Sequence, residues 1–282
     1  MITRTRTFAM LVVFVAVLFP PTLFAEAKDA SWKPLFNGTN FDGLYIYIAR
    51  QNKNEDTNQL VQIENGTWHM YAGQPDGSAQ PHGYVSTEKE YADYHLRFEY
   101  KWGTNRFGAR ATAKRDAGVI YHMFGGDTVW PSGVECQVQE GDVGDIFTVN
   151  TRVKTTVDPK TTNLVTSVIT NTNGTLRTNQ SVMPVFLTSG NGGVALQQGV
   201  AGGIRRVIRS QMLEHDGWNT VEVIVRGDEA THIVNGKTNN VAGKMEKLVG
   251  GQWQPLTKGK LIFQLEGAEV FYRHLEIKEL NH

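Results

Sequence analysis

The sequence contains a single cysteine, Cys136, among 282 residues, so no disulfide can form within the chain. A chain of this length can be held by a hydrophobic core instead. One cysteine cannot build a cysteine-rich zinc cluster, and no His-x-x-x-His pair occurs. An excess of either charge is also missing: 28 basic residues balance 28 acidic ones, which leaves no electrostatic footprint for nucleic acid and no charged tail. Extended helical periodicity is absent outside the N-terminal run, and no internal repeat is apparent. The glycines of "SGNGGVALQQGVAGG" (189–203) lack a strand–loop–helix setting, so they make no phosphate cradle and read as loop.

The N-terminus differs from the rest. Arg4 and Arg6 precede an apolar run from Phe8 to Phe19, then Pro20-Pro21, then the small residues Ala25 and Ala27. This is the layout of a secretory signal peptide over residues 1–27. The run is short for a membrane span, which needs about 20 apolar residues. The expected location is periplasmic or secreted, with no membrane attachment after cleavage, and no cysteine near the cleavage site offers a lipid anchor.

What is present is alternation. In "YHLRFEYKW" (94–102) Leu96, Phe98, Tyr100 and Trp102 alternate with His95, Arg97, Glu99 and Lys101. "GVECQVQ" (133–139), "WNTVEVIVRG" (218–227), "KLIFQLEG" (260–267) and "EVFYRHLEIKEL" (269–280) follow the same period, and Asn235-Gly236 supplies a hairpin turn. Period-two patterning bounded by turn residues predicts strands. Many such strands predict an all-β sandwich or jelly roll. Residues 28–282 read as one domain, with a Thr- and Asn-rich insertion at about 150–182 carrying an edge hairpin.

The alternation also assigns faces. Val134, Cys136 and Val138 take the core phase, so the lone thiol is a buried, inert one. Glu135, Gln137 and Gln139 then face away from the core, as do Arg97, His122 beside an inward Tyr121, Gln264 and Glu266. If their strands share a sheet, they build one polar floor. Trp130 stands just before it and could stack on a sugar ring. Glu140, Asp142 and Asp145 follow in a loop. They default to turn-forming roles but could hold a divalent cation of the Ca²⁺ or Mg²⁺ kind. Asp116 reads as a structural ion pair with its neighbour Arg115.

Four blocks carry a family resemblance: "WKPLFNGTNFDGL", "RDAGVIYHMFGGDTVWPSGVECQVQEGDVGDIF", "DGWNTVEVIVRGDEATHIVNGK" and "LIFQLEGAEVFYRHLEIKEL". Their content and order resemble the bacterial 3-keto-glucoside lyase and hydratase family, formerly called 3-keto-disaccharide hydrolases, over about residues 31–280. Tyr121-His122, where many relatives have Arg, resembles a Tyr-His subgroup. The resemblance implies a concanavalin-like jelly roll and activity on sugars whose C3 hydroxyl has become a ketone. Elimination across C1–C2 releases the aglycone, and hydration of the resulting glucal gives 3-keto-glucose. No cofactor is firmly implied. The carbohydrate substrate is the partner, with an upstream glycoside 3-dehydrogenase to supply the ketone.

Such chemistry needs a base for the acidic C2 proton, a donor for the enolate oxygen and an acid for the departing glycosidic oxygen. Glu135, mid-strand, is the expected base, with His122 or Glu140 as acid. Arg97 is expected to bind substrate or the enolate oxygen, and Gln137, Gln264 and Glu266 to bind sugar hydroxyls. The competing readings are a carbohydrate-binding module without chemistry and an envelope scaffold; the latter would want an exposed apolar patch that the sequence does not show.

Overall fold

The computed structural model describes residues 31–162 and 183–281, with the backbones of strands Val165–Thr170 and Leu176–Ser181 between them. The leader expected at residues 1–27 lies outside the described residues. Two antiparallel sheets dominate, one of 11 strands and one of 7. The smaller runs in the order Ile204–Val207, Ile146–Val149, Ser132–Gln137, Gly118–Phe124, Lys260–Leu265, Gly83–Thr87, Leu44–Ile48. The larger is centred on Asn219–Arg226, Tyr94–Arg106 and Ala268–Glu279. This is the jelly-roll sandwich that the alternation anticipates.

Alternating side chains from both sheets fill the space between them. Tyr94, Leu96, Phe98 and Tyr100 of the large sheet are buried against Val119, Tyr121, Val134, Cys136 and Phe263 of the small one. Phe263 meets Phe98 and Trp68 edge-on, at ring-centroid distances of 5.4 Å each, a geometry that the ring quadrupoles favour. Burial pushes the Cys136 thiol well above its ordinary pKa, as an inert core cysteine requires.

Two expectations of organisation change. Thr151–Val157 is no insertion but a strand of the large sheet, paired with Lys237–Val249 and Val194–Gly199. Its alternate residues Thr151, Val153, Thr155 and Val157 are buried, and two threonines fit because each hydroxyl donates to a backbone carbonyl, Thr151 to Gly133 and Thr155 to Val241. Only Val165–Thr170 and Leu176–Ser181 stand apart, as a two-stranded hairpin. The Gly-rich stretch read as loop contains the edge strand Val194–Gly199. Its backbone bonds to Thr151–Val157 fix it where composition alone suggested a loop.

Candidate active site

The outer face of the small sheet, turned away from the large one, is the unusual surface. Ile120, Ile262, Tyr84 and Gln264 point outward there by alternation, yet none is exposed. One half of this face is apolar, with Tyr45, Tyr84, Ile120, Met123, Val149 and Ile262 packed together beneath Trp130 and Tyr47. The other half is polar and opens into a cleft of about 220 Å³, lined by Asp116, Glu135, Gln137, Gln139 and Glu266, with Arg110 and Arg206 at its rim.

Backbone register builds the floor. Glu135 is flanked by Ile120 on one neighbouring strand and Phe147 on the other. Gly118 lies beside it, opposite Gln137. A side chain at 118 would collide with Glu135 Oε1 and Gln264 Oε1, so the bare glycine makes the slot in which these two groups meet. Glu135 is 5 % exposed and Gln264 0 %. Glu135 Oε1, Asp116 Oδ1 and both amide atoms of Gln264 have no hydrogen-bond partner in the protein. Buried polar atoms are ordinarily paired, so several unpaired ones around one cleft mark a place prepared for something else.

The electrostatics follow from the crowding. The Arg110 guanidinium pairs with Asp116 and, at 2.8 Å, with Glu266. Gln139 Nε2 donates to Asp116 Oδ2 at 2.7 Å. One cation therefore serves two carboxyls, and Glu135 has no cation of its own beside them. Burial, reinforced by the charge of Glu266, pushes the Asp116 carboxyl up to about 7. Burial and then the charges of Glu266 and Asp116 push Glu135 well above the carboxylate range. The cleft thus favours the protonated form of Glu135, next to an Asp116 poised near neutrality to gain or lose a proton.

The structure brings Glu135, Gln137, Gln264, Glu266 and Trp130 together, as the alternation suggested. Three expected members are elsewhere. His122 sits in a bulge, between Tyr121 and Phe124, at which the register of Gly118–Phe124 shifts against both neighbours. Its backbone takes a left-handed φ of 51°, its ring is fully buried beside Tyr94 and Tyr121, and Nδ1 lies 3.2 Å from the Leu256 carbonyl oxygen. The bulge adds one residue, so Met123 takes the outward place expected for His122. Glu140 lies in a separate pocket with Trp102 and Glu214, held by Arg115 at 2.7 Å and Arg106 at 3.2 Å, and the Arg115 hydrogen bond keeps its carboxyl ionised below the usual range. Arg97 belongs to the large sheet, on the opposite side of the sandwich, where it pairs with Glu276.

The loop carboxylates read as candidate cation ligands face cationic side chains instead. Asp142 meets Lys114 at 2.6 Å and Arg209 at 2.9 Å, while Asp145 pairs with Arg206 and Arg209. Among the described residues no cluster of three or more His, Cys, Asp or Glu could hold a metal ion. The network fixes Arg206 instead, whose guanidinium lies over the Phe147 ring at 5.4 Å.

Asp116 and Arg110 are the residues that sequence reasoning missed. Arg115, the expected partner of Asp116, binds Glu140. The true partner, Arg110, comes from the short 3₁₀ turn Gly108–Thr112. A signal for Asp116 existed, since it precedes Gly118 and Ile120 in the outward phase. Arg110 had none.

Comparison with known proteins places the chain. No curated protein matches it. Among solved structures it is similar to a candidate glycosyl hydrolase from Parabacteroides distasonis ATCC 8503 (17 % identity, 89 % of this chain and 94 % of that one, TM-score 0.47). It is also similar to the carbohydrate-binding module CBM66 from Bacillus subtilis (8 % identity, 85 % and 98 %, TM-score 0.40) and to a β-glucanase from Bacillus licheniformis (10 % identity, 89 % and 98 %, TM-score 0.41). Residues 31–278 match the 3-keto-alpha-glucoside-1,2-lyase-like domain, and the chain belongs to that family.

Proposed function

We propose that the cleft cleaves glucosides already oxidised at C3, by elimination across C1–C2 followed by hydration. Family membership supports the substrate class. The observation that carries the chemistry is the pair of buried carboxyls Asp116 and Glu135 crowded beside the half-buried Glu266, with Arg110 bridging Asp116 and Glu266.

A ketone at C3 acidifies the C2 proton, because the electron pair left behind delocalises into an enolate. Asp116, titrating near neutrality, is the group able to take that proton while ionised. Glu135, whose burial favours its protonated form, can give that proton to the glycosidic oxygen as the C1–O bond breaks. Hydration uses the same pair in reverse, with the acid and the base exchanging duties. This exchanges the base role expected for Glu135 with the acid role, for a physical reason: the deeper carboxyl keeps its proton. Arg110, between Asp116 and Glu266, limits the charge that accumulates as Glu135 ionises. Gln137, Gln139 and Gln264 offer amides to sugar hydroxyls, and Trp130 offers a flat apolar wall. No metal is called for in these steps. An oxidising enzyme must supply the ketone first, and the N-terminal leader would place the reaction outside the cytoplasm.

The amide row beside Trp130 would also suit a binding module without chemistry. Hydrogen–deuterium exchange separates the two. Incubation with a 3-keto-glucoside in D₂O should exchange the C2 proton at a rate that Asp116→Asn lowers by about 10²-fold or more. Binding with no exchange above the buffer rate would establish the module instead.

A further inference from the structure

The loop 125–131 joins the two central strands of the site, Gly118–Phe124 and Ser132–Gln137, which close on each other at Phe124 and Ser132. Gly125, Gly126, Asp127 and Thr128 are exposed and contribute nothing to the core. Yet the same loop carries Trp130, which lines the cleft with Glu135 and packs on the apolar outer face. Such a loop needs an anchor to hold an aromatic wall in place.

Asp127 is that anchor. Its Oδ1 accepts hydrogen bonds from Tyr45 and Tyr84, each at 2.7 Å. These phenols stand on Leu44–Ile48 and Gly83–Thr87, which lie beyond Lys260–Leu265 in the sheet order. The loop therefore reaches across a strand to the far edge of the sheet. Both tyrosines are buried, and the Lys53 and Lys260 ammonium groups lie over the Tyr45 ring, 4.1 Å and 4.6 Å from its centroid. Two phenol donors on one carboxylate oxygen are charge-assisted bonds of the stronger kind. At the other end of the loop, Trp130 stacks on the His82 ring, with centroids 5.9 Å apart and planes 12° apart.

We propose that Asp127 is a positioning residue for the cleft: through Tyr45 and Tyr84 it latches the 125–131 loop across the sheet and so sets Trp130 as the wall against which a ligand rests. This rests on the reading of the cleft as the ligand site. Asp127 is not among the residues that line the cleft, so it acts through Trp130 on binding rather than on the chemical step.

The test has an arm that needs no substrate. Acrylamide quenching of Trp130 is obtained as the difference between each protein and its Trp130→Phe counterpart, which cancels the other tryptophans. Asp127→Ala, and separately Tyr45→Phe with Tyr84→Phe, should raise the Trp130 quenching constant about twofold or more, by releasing the tie that holds the exposed 125–128 end of the loop. An unchanged constant in both would overturn the latch. The second arm is kinetic. Asp127→Ala should raise KM for a 3-keto-glucoside about tenfold with kcat little changed, the signature of lost uniform binding. In the Trp130→Ala background the same change should have almost no further effect, because both alter one element. A KM that does not move, or effects that simply multiply, would overturn the positioning role. A wild-type protein inactive on 3-keto-glucosides would refute the proposed function, while the quenching result would still decide the latch.

Discussion

At the scale of the residue, the account rests on two carboxyls that the fold holds away from their ordinary ionisation. Asp116 should be ionised and Glu135 protonated for the elimination. The rate should therefore rise as pH climbs through about 7 and fall again where Glu135 loses its proton, a bell whose limbs belong to the pair. Glu135→Gln should lower turnover of a 3-keto-glucoside by about 10²-fold or more while leaving thermal unfolding intact. Asp116 adds a stability prediction of definite sign. Its folded pKa lies above its ordinary value of 3.8, so the stability it contributes is full below that value and is lost as pH rises through about 7. Asp116→Asn should accordingly stabilise the protein by about 1–3 kcal/mol at pH 8, measured by denaturant unfolding, while lowering exchange at C2 by about 10²-fold or more. Period two made Glu135 legible. Asp116 was misread because its partner is set by where a 3₁₀ turn delivers Arg110, not by adjacency to Arg115.

At the scale of the element, Gly118 shows how a strand makes room for chemistry. Gly118→Ala would drive a methyl group into Glu135 and Gln264. It should cost about 1–3 kcal/mol and displace Glu135, which urea unfolding and turnover would show together. Gly126→Ala, at an exposed position where an added Cβ meets nothing, should change neither. The strands themselves were readable because each buries alternate residues. His122 was not, because the pattern before a bulge carries no mark of the extra residue that follows. Arg97 failed differently: alternation gives the face of a strand but not the sheet to which it belongs. The opening strand of the Thr-rich segment was missed because its buried threonines, satisfied by backbone carbonyls, look polar in sequence.

At the scale of the whole molecule, the two sheets are also joined by a buried polar contact. His232 on the large sheet accepts from the Tyr121 hydroxyl at 3.0 Å, and its Nδ1 donates to the Gly144 carbonyl at 3.1 Å, which fixes a neutral ring. Burial depresses both His232 and His122 to about 4. A depressed histidine contributes stability that is present above its ordinary value of 6.5 and is lost as pH falls through its folded value. The sandwich should therefore weaken between pH 6.5 and 4, by up to about 3 kcal/mol for each ring. Urea midpoints across that range would show it, with a shallower decline in His232→Gln. The sandwich, once closed, places the floor of the cleft on the outer face of its smaller sheet, and the central claim concerns that floor. Its most direct test is to incubate the protein with a 3-keto-glucoside and, separately, with the unoxidised parent glucoside, following aglycone release. The account predicts release from the keto form alone, slowed about 10²-fold or more in Glu135→Gln; release from the unoxidised glucoside, or binding of the keto form without release, would contradict it.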